Sequence, residues 1–313
     1  MNWEKSLILI SVGLIGLVLA FQVNAQGPGV TVSPLTFELT ANPGDIIANT
    51  LKVSNFSDAA ISIKMEAENF VAIGEEGRVV TTSEQEEDTT YSLRKWITIT
   101  PEEFTLEGKG DQTVNFIIEV PQNAEPGGKY GSVLVGITGS MQEDGTGAVI
   151  STKTGSLVLL MVAGDLKEKL SVKDFSTSSF QEYGPVAFEI RFENKGTVHV
   201  KPKGYIVIAN WFNNNVKELE FPQENVMPGA VRKIKAEWDT KWLFGKYTAT
   251  IFGVYGVSNQ NIDSRVITFW VLPWKIILGI VVGLALIFIF FFKTRKRWKL
   301  AVKVLVKGEK TSV

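Results

Sequence analysis

The sequence predicts an all-β protein, two tandem immunoglobulin-like β-sandwich domains, with one C-terminal transmembrane α-helix. Three observations carry this. Short stretches of alternating apolar and polar residues recur from residue 30 to residue 270, each closed by Gly, Pro, Asn or Asp. Alternation of period two marks half-buried antiparallel strands. No stretch of convincing helical length interrupts them. Residues 276–292 then read IILGIVVGLALIFIFFF, an unbroken apolar run. At ~1.5 Å of rise per residue, this run and its flanks cross a hydrocarbon core of ~30 Å.

At the N-terminus, residues 1–25 have a short charged start with Lys5, an apolar stretch at 7–21, and Val23, Asn24 and Ala25 where a signal peptidase reads. This is the pattern of a cleavable secretory signal, with an uncleaved anchor as the alternative. Mature chain then begins near Gln26. About 245 residues separate the two apolar segments, enough for two domains with cores of their own. The chain has no cysteine. Exported without disulfides, each domain must be held by apolar burial.

The first domain is expected over residues 26–164. Residues 30–39 alternate, with Pro34 suited to an edge or a bulge. Asn42, Pro43, Gly44 and Asp45 make a turn. Strands follow at 48–56 and 60–70, split by Ser57 and Asp58. Residues 71–94 are polar, with acidic positions at 84–88, and read as a solvated loop or small hairpin. No spaced calcium loop is present in them. Strands resume at 95–100, 104–106, 113–120, 131–139 and 156–163, with a turn at 141–147.

The second domain, residues 165–270, repeats the grammar. Strands are expected at 170–175, 186–194, 198–201, 205–211, 220–226, 231–238, 248–255 and 264–270, with a turn at 213–215. Lys52-Val-Ser-Asn55 matches Arg191-Phe-Glu-Asn194, each ending a strand at an asparagine. A turn–Gly–Lys–Tyr–strand unit recurs around Tyr130 and Tyr247.

Residues 271–292 are the expected span. Trp270 and Trp274 lie before it and Trp298 after it, as interfacial aromatics do. Lys293, Arg295, Lys296 and Arg297 open a basic tail, 293–313, that continues through Lys299, Lys303, Lys307 and Lys310. By the positive-inside rule the tail is cytoplasmic and the bulk extracellular, at the cell membrane. Residues 26–164 carry 8 Lys and Arg against 19 Asp and Glu, a net of −11, and 165–270 carry 14 against 12, a net of +2. An acidic distal half argues against nucleic acid as a partner.

Catalytic arrangements are sparse. Cysteine chemistry is excluded, and the single histidine, His199, stands in an alternating stretch with no nucleophile elbow in the chain. One histidine without cysteine does not make a zinc site, and no phosphate-cradling glycine motif occurs. Carboxylate pairs for glycoside hydrolysis are what an acidic domain leaves open. No cofactor, no metal and no enzyme activity is expected. Asn55-Phe-Ser57 fits a glycosylation acceptor and reads as chance. Trp96, Tyr130, Trp242 and Phe244 are the candidate binding residues, because aromatic faces suit sugar rings and partner hot spots. Trp211 and Trp238 belong to the same aromatic set.

Three segments of the first domain sit together: Val32-Ser-Pro34 with Asn42-Pro-Gly44, then Trp96, Pro101 and Phe104-Thr-Leu106, then Val120-Pro121, Pro126-Gly127 and Tyr130-Gly131. With the layout at both ends, this resembles the bacterial WxL-interacting protein family. The resemblance implies a peptidoglycan-binding first sandwich, a second sandwich turned to a host surface, one span and a basic tail. The expected function is a non-catalytic, membrane-anchored surface protein that binds cell-wall polymer or a partner protein. The alternative is a chaperone-like module that holds clients by strand addition.

Overall fold

A computed structural model of the chain describes residues 29–82, 89–137 and 153–307, the last twelve of these by backbone alone. The expected signal segment 1–25, the acidic positions 84–88, the expected turn at 141–147 and positions 308–313 lie outside the described residues. The protein is all-β up to one C-terminal helix, and its sheets form two sandwiches of immunoglobulin-like type. It divides into two compact units. One is Met1–Val71 with Val79–Asp165, the other Ala72–Arg78 with Leu166–Val313.

The first unit holds β1 (Val30–Ser33), β2 (Thr36–Ala41), β3 (Ile46–Asn55), β4 (Ile61–Ile73) up to Val71, β5 (Arg78–Thr82) from Val79, β6 (Ile97–Thr100), β7 (Glu103–Leu106), β8 (Asp111–Glu119), β9 (Gly127–Ile137) and β10 (Lys153–Val162). One sheet runs β1-β3-β8-β6, the other β2-β10-β9-β4-β5, with β7 against β4. The alternating stretch at 30–39 is two strands, because the chain changes sheet at the cis Ser33–Pro34 bond. β1 pairs antiparallel with β3, and β2 parallel with β10.

Leu51 and Val53 of β3 and Val114, Phe116 and Ile118 of β8 face Ile63, Met65, Val133, Val135, Val158 and Leu160 of the other sheet, all buried. Each such side chain contributes ~1.5–3 kcal/mol on burial. β9 is buried along nearly its whole length, on both faces. The polar stretch after β4 is in part a hairpin. Gly74 and Gly77 take positive φ at its turn, where a side chain would be strained.

The second unit holds β11 (Leu170–Ser176), β12 (Phe180–Gln181), β13 (Val186–Asn194), β14 (Lys203–Asn210), β15 (Asn215–Glu220), β16 (Val231–Trp238), β17 (Gly245–Tyr255), β18 (Gln260–Asn261), β19 (Val266–Val271) and then α1 (Trp274–Lys307). The sheets run β11-β13-β16 and β12-β19-β17-β14-β15, with β18 on β17. Phe188, Phe192 and Phe269 fill the centre, with Trp238 and Tyr247 in edge contact at 5.3 Å.

Two expected strands differ. Residues 198–201 make only an isolated bridge, Val200 to Val226, although Val198 and Val200 point inward. Pro202 has no N–H to extend a ladder. The strand expected at 220–226 lies instead at β15, and the turn at 211–214 precedes it. Pro222 stops a ladder there in the same way, and the exposed, charged β15 shows little burial contrast for alternation to reveal.

Candidate functional site

A cavity of about 290 Å³ opens in the first unit where the β8–β9 loop meets the segment ahead of β6. Thr89, Thr90, Ser92, Trp96, Glu125 and Lys129 are among its lining residues. The wall that carries Trp96 is built by hydrogen bonds from buried residues. Asn69 of β4 accepts from the backbone N–H groups of Leu93 and Arg94, both at 2.9 Å. This fixes the start of a single 3-10 turn, Arg94–Trp96, over the fully buried Leu93. Upstream, Thr89 N–H donates to Ser92 Oγ at 2.8 Å, and Tyr91 carbonyl accepts from Tyr130 N–H at 2.7 Å. The hydroxyl-bearing segment is therefore tied to the edge of β9.

Lys129 lies on the core-facing side of β9, in phase with Val133 and Val135, yet at the strand's open end. It is 5 % exposed. Its Nζ donates to Thr90 carbonyl at 2.6 Å and stands 5.7 Å from the centre of the Trp96 ring. Burial pulls the Lys129 ammonium below the ordinary lysine value, and the nearby Glu125 partly opposes this. One ammonium proton is engaged by Thr90, which leaves donor capacity directed toward the cavity. A part-desolvated cation beside an indole face, with hydroxyls around it, suits a carboxylate attached to a ring or an apolar body.

The sequence candidates are dispersed. Trp96 is half-buried and lines this cavity. Tyr130 is buried on the opposite face of β9, stacked against Tyr91 at 6.0 Å and beside Phe70. Its hydroxyl lies over Gly128, where a Cβ would come within 1.9 Å of it. Trp242 and Phe244 stand exposed in the second unit, with Trp242 in edge contact with Tyr183 at 5.5 Å. Trp270 is exposed on β19 and Trp274 opens α1; Lys293 and Arg295 are exposed on the helix. Lys296, Arg297 and Trp298 continue its backbone. Lys129 was missed because lysine in a glycine-rich turn reads as solvated. The signal was its phase, two residues before Gly131 and four before Val133.

The second unit has its own concavity of about 560 Å³ on the outer face of β14 and β17. Tyr205 and Phe252, cross-strand neighbours with rings 6.0 Å apart, form its aromatic side, and Lys203 its charge. Gly204 and Gly253 pair on the opposite, core-facing side of the same strands, where a Cβ on Gly204 would meet Phe252 carbonyl at 2.1 Å and the Phe221 ring at 3.0 Å.

No family model and no curated protein matches the chain. Among solved structures it is similar to the class 5 fimbriae chaperone CfaA, at 13 % identity and a TM-score of 0.39 over 78 % of this chain and 100 % of that one. It is also similar to the Pseudomonas aeruginosa CupB2 chaperone, at 9 % and 0.36 over 77 % and 100 %. A structure of the Salmonella enterica SafA pilin with the SafB chaperone gives 11 % and 0.36 over 79 % and 98 %. These are similarities of fold, and no residue role is carried across from them.

Proposed function

We propose that this chain is a non-catalytic, membrane-anchored binding protein of the cell surface. Its first unit recognises a carboxylate-bearing cell-wall polymer, peptidoglycan, or a partner protein presenting such a group. α1 holds it at the cell membrane with the sandwiches outside and the basic tail inside, an arrangement that the charge asymmetry around the helix supports. Trp274–Arg295 is long and apolar enough to cross a membrane. The resemblance to the WxL-interacting protein family, stated from the first-domain segments, points the same way.

What carries this reading is the Lys129–Trp96 cavity, because a buried lysine is retained at a cost that only a counter-charge or a task offsets. The test is co-sedimentation of the detergent-solubilised full chain with isolated peptidoglycan. Saturable binding is expected, weakened about tenfold or more by Lys129→Met. Amidation of the wall carboxylates has the same effect. Absent binding, or binding indifferent to both changes, overturns the reading.

A second reading, a chaperone-like module that holds a client by strand addition, stands here on one edge; the similar fimbrial structures are named as chaperones. β2 pairs with Leu157–Val162 of β10 only, and Ser156 is buried with its hydroxyl donating to Pro34 carbonyl, so Lys153, Thr154 and Gly155 have no ladder partner on that side among the described strands. The open stretch is short and polar, which ranks this reading second. A client added there protects the amides of Lys153 and Gly155, which point to that side in phase with Leu157, from hydrogen exchange and binds the Lys129→Met variant as well as the parent.

A further inference from the structure

The registers of the second unit gather several loops at one end. Asn210 at the end of β14 pairs with Tyr247, and Gly245 at the start of β17 pairs with Val271 at the end of β19. Beyond those pairs lie the 211–214 turn, the 239–244 segment and the exit toward α1. Leu272 and Pro273 alone separate β19 from the helix. The three steps from Val271 to Trp274 reach at most ~11 Å, so this end of the sandwich sits at the point where the helix begins.

That junction is stiff. Leu272 N–H donates to Gln181 carbonyl at 2.9 Å, and Ile277 N–H to Pro273 carbonyl at 3.1 Å. Lys275 in the first turn of α1 pairs with Glu182 at 2.7 Å.

The loops at this end display large rings. Trp211, Phe212, Trp242 and Phe244 are between 62 % and 72 % exposed. They are held outward rather than left loose. Asn210 Oδ1 accepts from Phe212 N–H at 3.0 Å and from Asn214 N–H at 3.1 Å, and the Trp211 and Phe212 rings meet edge-on at 5.2 Å. Leu243, between Trp242 and Phe244, is buried and pins its own loop. Lys241 stands 5.8 Å from the Trp242 ring centre, and Lys275 5.7 Å from that of Trp274. Glu182, the carboxylate at this end that faces the helix, is taken up by Lys275. Amphipathic rings with cations beside them are what the headgroup layer of a bilayer receives.

We infer that this end of the second unit is a lipid-docking surface, which rests on reading α1 as a membrane span: Trp211, Phe212, Trp242 and Phe244 seat the sandwich in the headgroup layer of the bilayer that α1 crosses. The domain is thus held down on the membrane at several points, and not tethered by its helix alone.

The absence of native cysteine makes the test direct. Bimane is attached singly to Phe212→Cys, Phe244→Cys, Val257→Cys and Ile287→Cys in the full chain, in phosphatidylcholine–phosphatidylglycerol nanodiscs carrying nitroxide at the headgroup or mid-chain. Val257 is exposed at the far end of β17, and Ile287 lies within the span. Headgroup nitroxide is expected to quench positions 212 and 244 several-fold more than 257, and mid-chain nitroxide to quench 287. Quenching at 212 and 244 no greater than at 257, with 287 quenched, overturns the docking surface and leaves the span standing. An unquenched 287 overturns both. Blue-shifted but unquenched emission at 212 and 244 also overturns lipid docking, and assigns the rings to a protein contact.

Discussion

Two asparagines show how a single residue organises each unit. Asn55 is buried at the end of β3, donating to Ala59, Leu106 and Glu107 carbonyls at 2.8, 3.3 and 3.0 Å, while its Oδ1 accepts from Ser57 N–H at 2.9 Å. Asn194 does the same at the end of β13, donating to Val198 and Val226 carbonyls at 2.9 and 2.8 Å and accepting from Gly196 N–H at 2.8 Å. The sequence match between the two segments has this physical cause: one amide closes a turn and satisfies carbonyls of a second loop. Removing it orphans buried acceptors, so Asn194→Ala is expected to cost ~1–3 kcal/mol, read as a lower urea midpoint of the solubilised chain. The same geometry occupies the Asn55 amide nitrogen, so a glycan there is incompatible with the fold. At this scale the sequence was informative where a residue ends a strand. It was silent where a residue's value depends on what a distant loop brings, as Thr90 and Trp96 do for Lys129.

At the scale of elements, the edge of β10 is held to β4 by charge. Lys153 Nζ lies 2.6 Å from a carboxylate oxygen of Glu66 and 2.6 Å from one of Glu68. The hydrogen bond from Lys153 holds Glu66 below the usual carboxylate range, burial opposes this, and Lys64 adds to the lowering. The bonds to Glu66 and Glu68 raise Lys153 above the ordinary lysine value. Glu66 therefore contributes stability that is fully present above the usual carboxylate range and lost as pH falls through its lowered value. Lys153 contributes stability that is fully present below the ordinary lysine value and lost as pH rises through its raised one. The stability gap between the parent and Lys153→Met is expected to be widest at neutral pH and to close at both extremes, as chemical denaturation across pH will show. A pair this near the surface contributes no more than ~1 kcal/mol. Strands that alternate strongly were legible, β3, β4, β8, β13 and β16 among them. Those where proline stops the ladder, or where water covers both faces as on β15, were not, because alternation records burial and not hydrogen bonding.

At the scale of the molecule, the two sandwiches and the helix were legible because repeated short alternation and one long apolar run are hard to satisfy in another way. The grouping of Ala72–Arg78 with the second unit was not. In that unit Glu76 pairs with Lys233 at 3.1 Å, and Glu75 with Arg191, contacts that join positions over a hundred residues apart. The topology itself can be tested with cysteine added to a chain that has none. Val257→Cys in intact cells is expected to react with an impermeant maleimide, while Ser312→Cys reacts only after permeabilisation. Reversal of that pattern would place the sandwiches inside.

The register of β19 has a mechanical consequence. The chain enters the second unit at β11, whose Leu170 pairs with Asn194 at the end far from α1, and leaves it at Val271 beside the helix. A pull between a held ligand and the membrane therefore draws β11 and β19 lengthwise in opposite directions. Ladder hydrogen bonds in antiparallel sheets lie across the strands, so those along β17–β19 are loaded together in shear and do not peel one at a time. Under the function proposed above, the terminal strand lies in the orientation that resists tearing best.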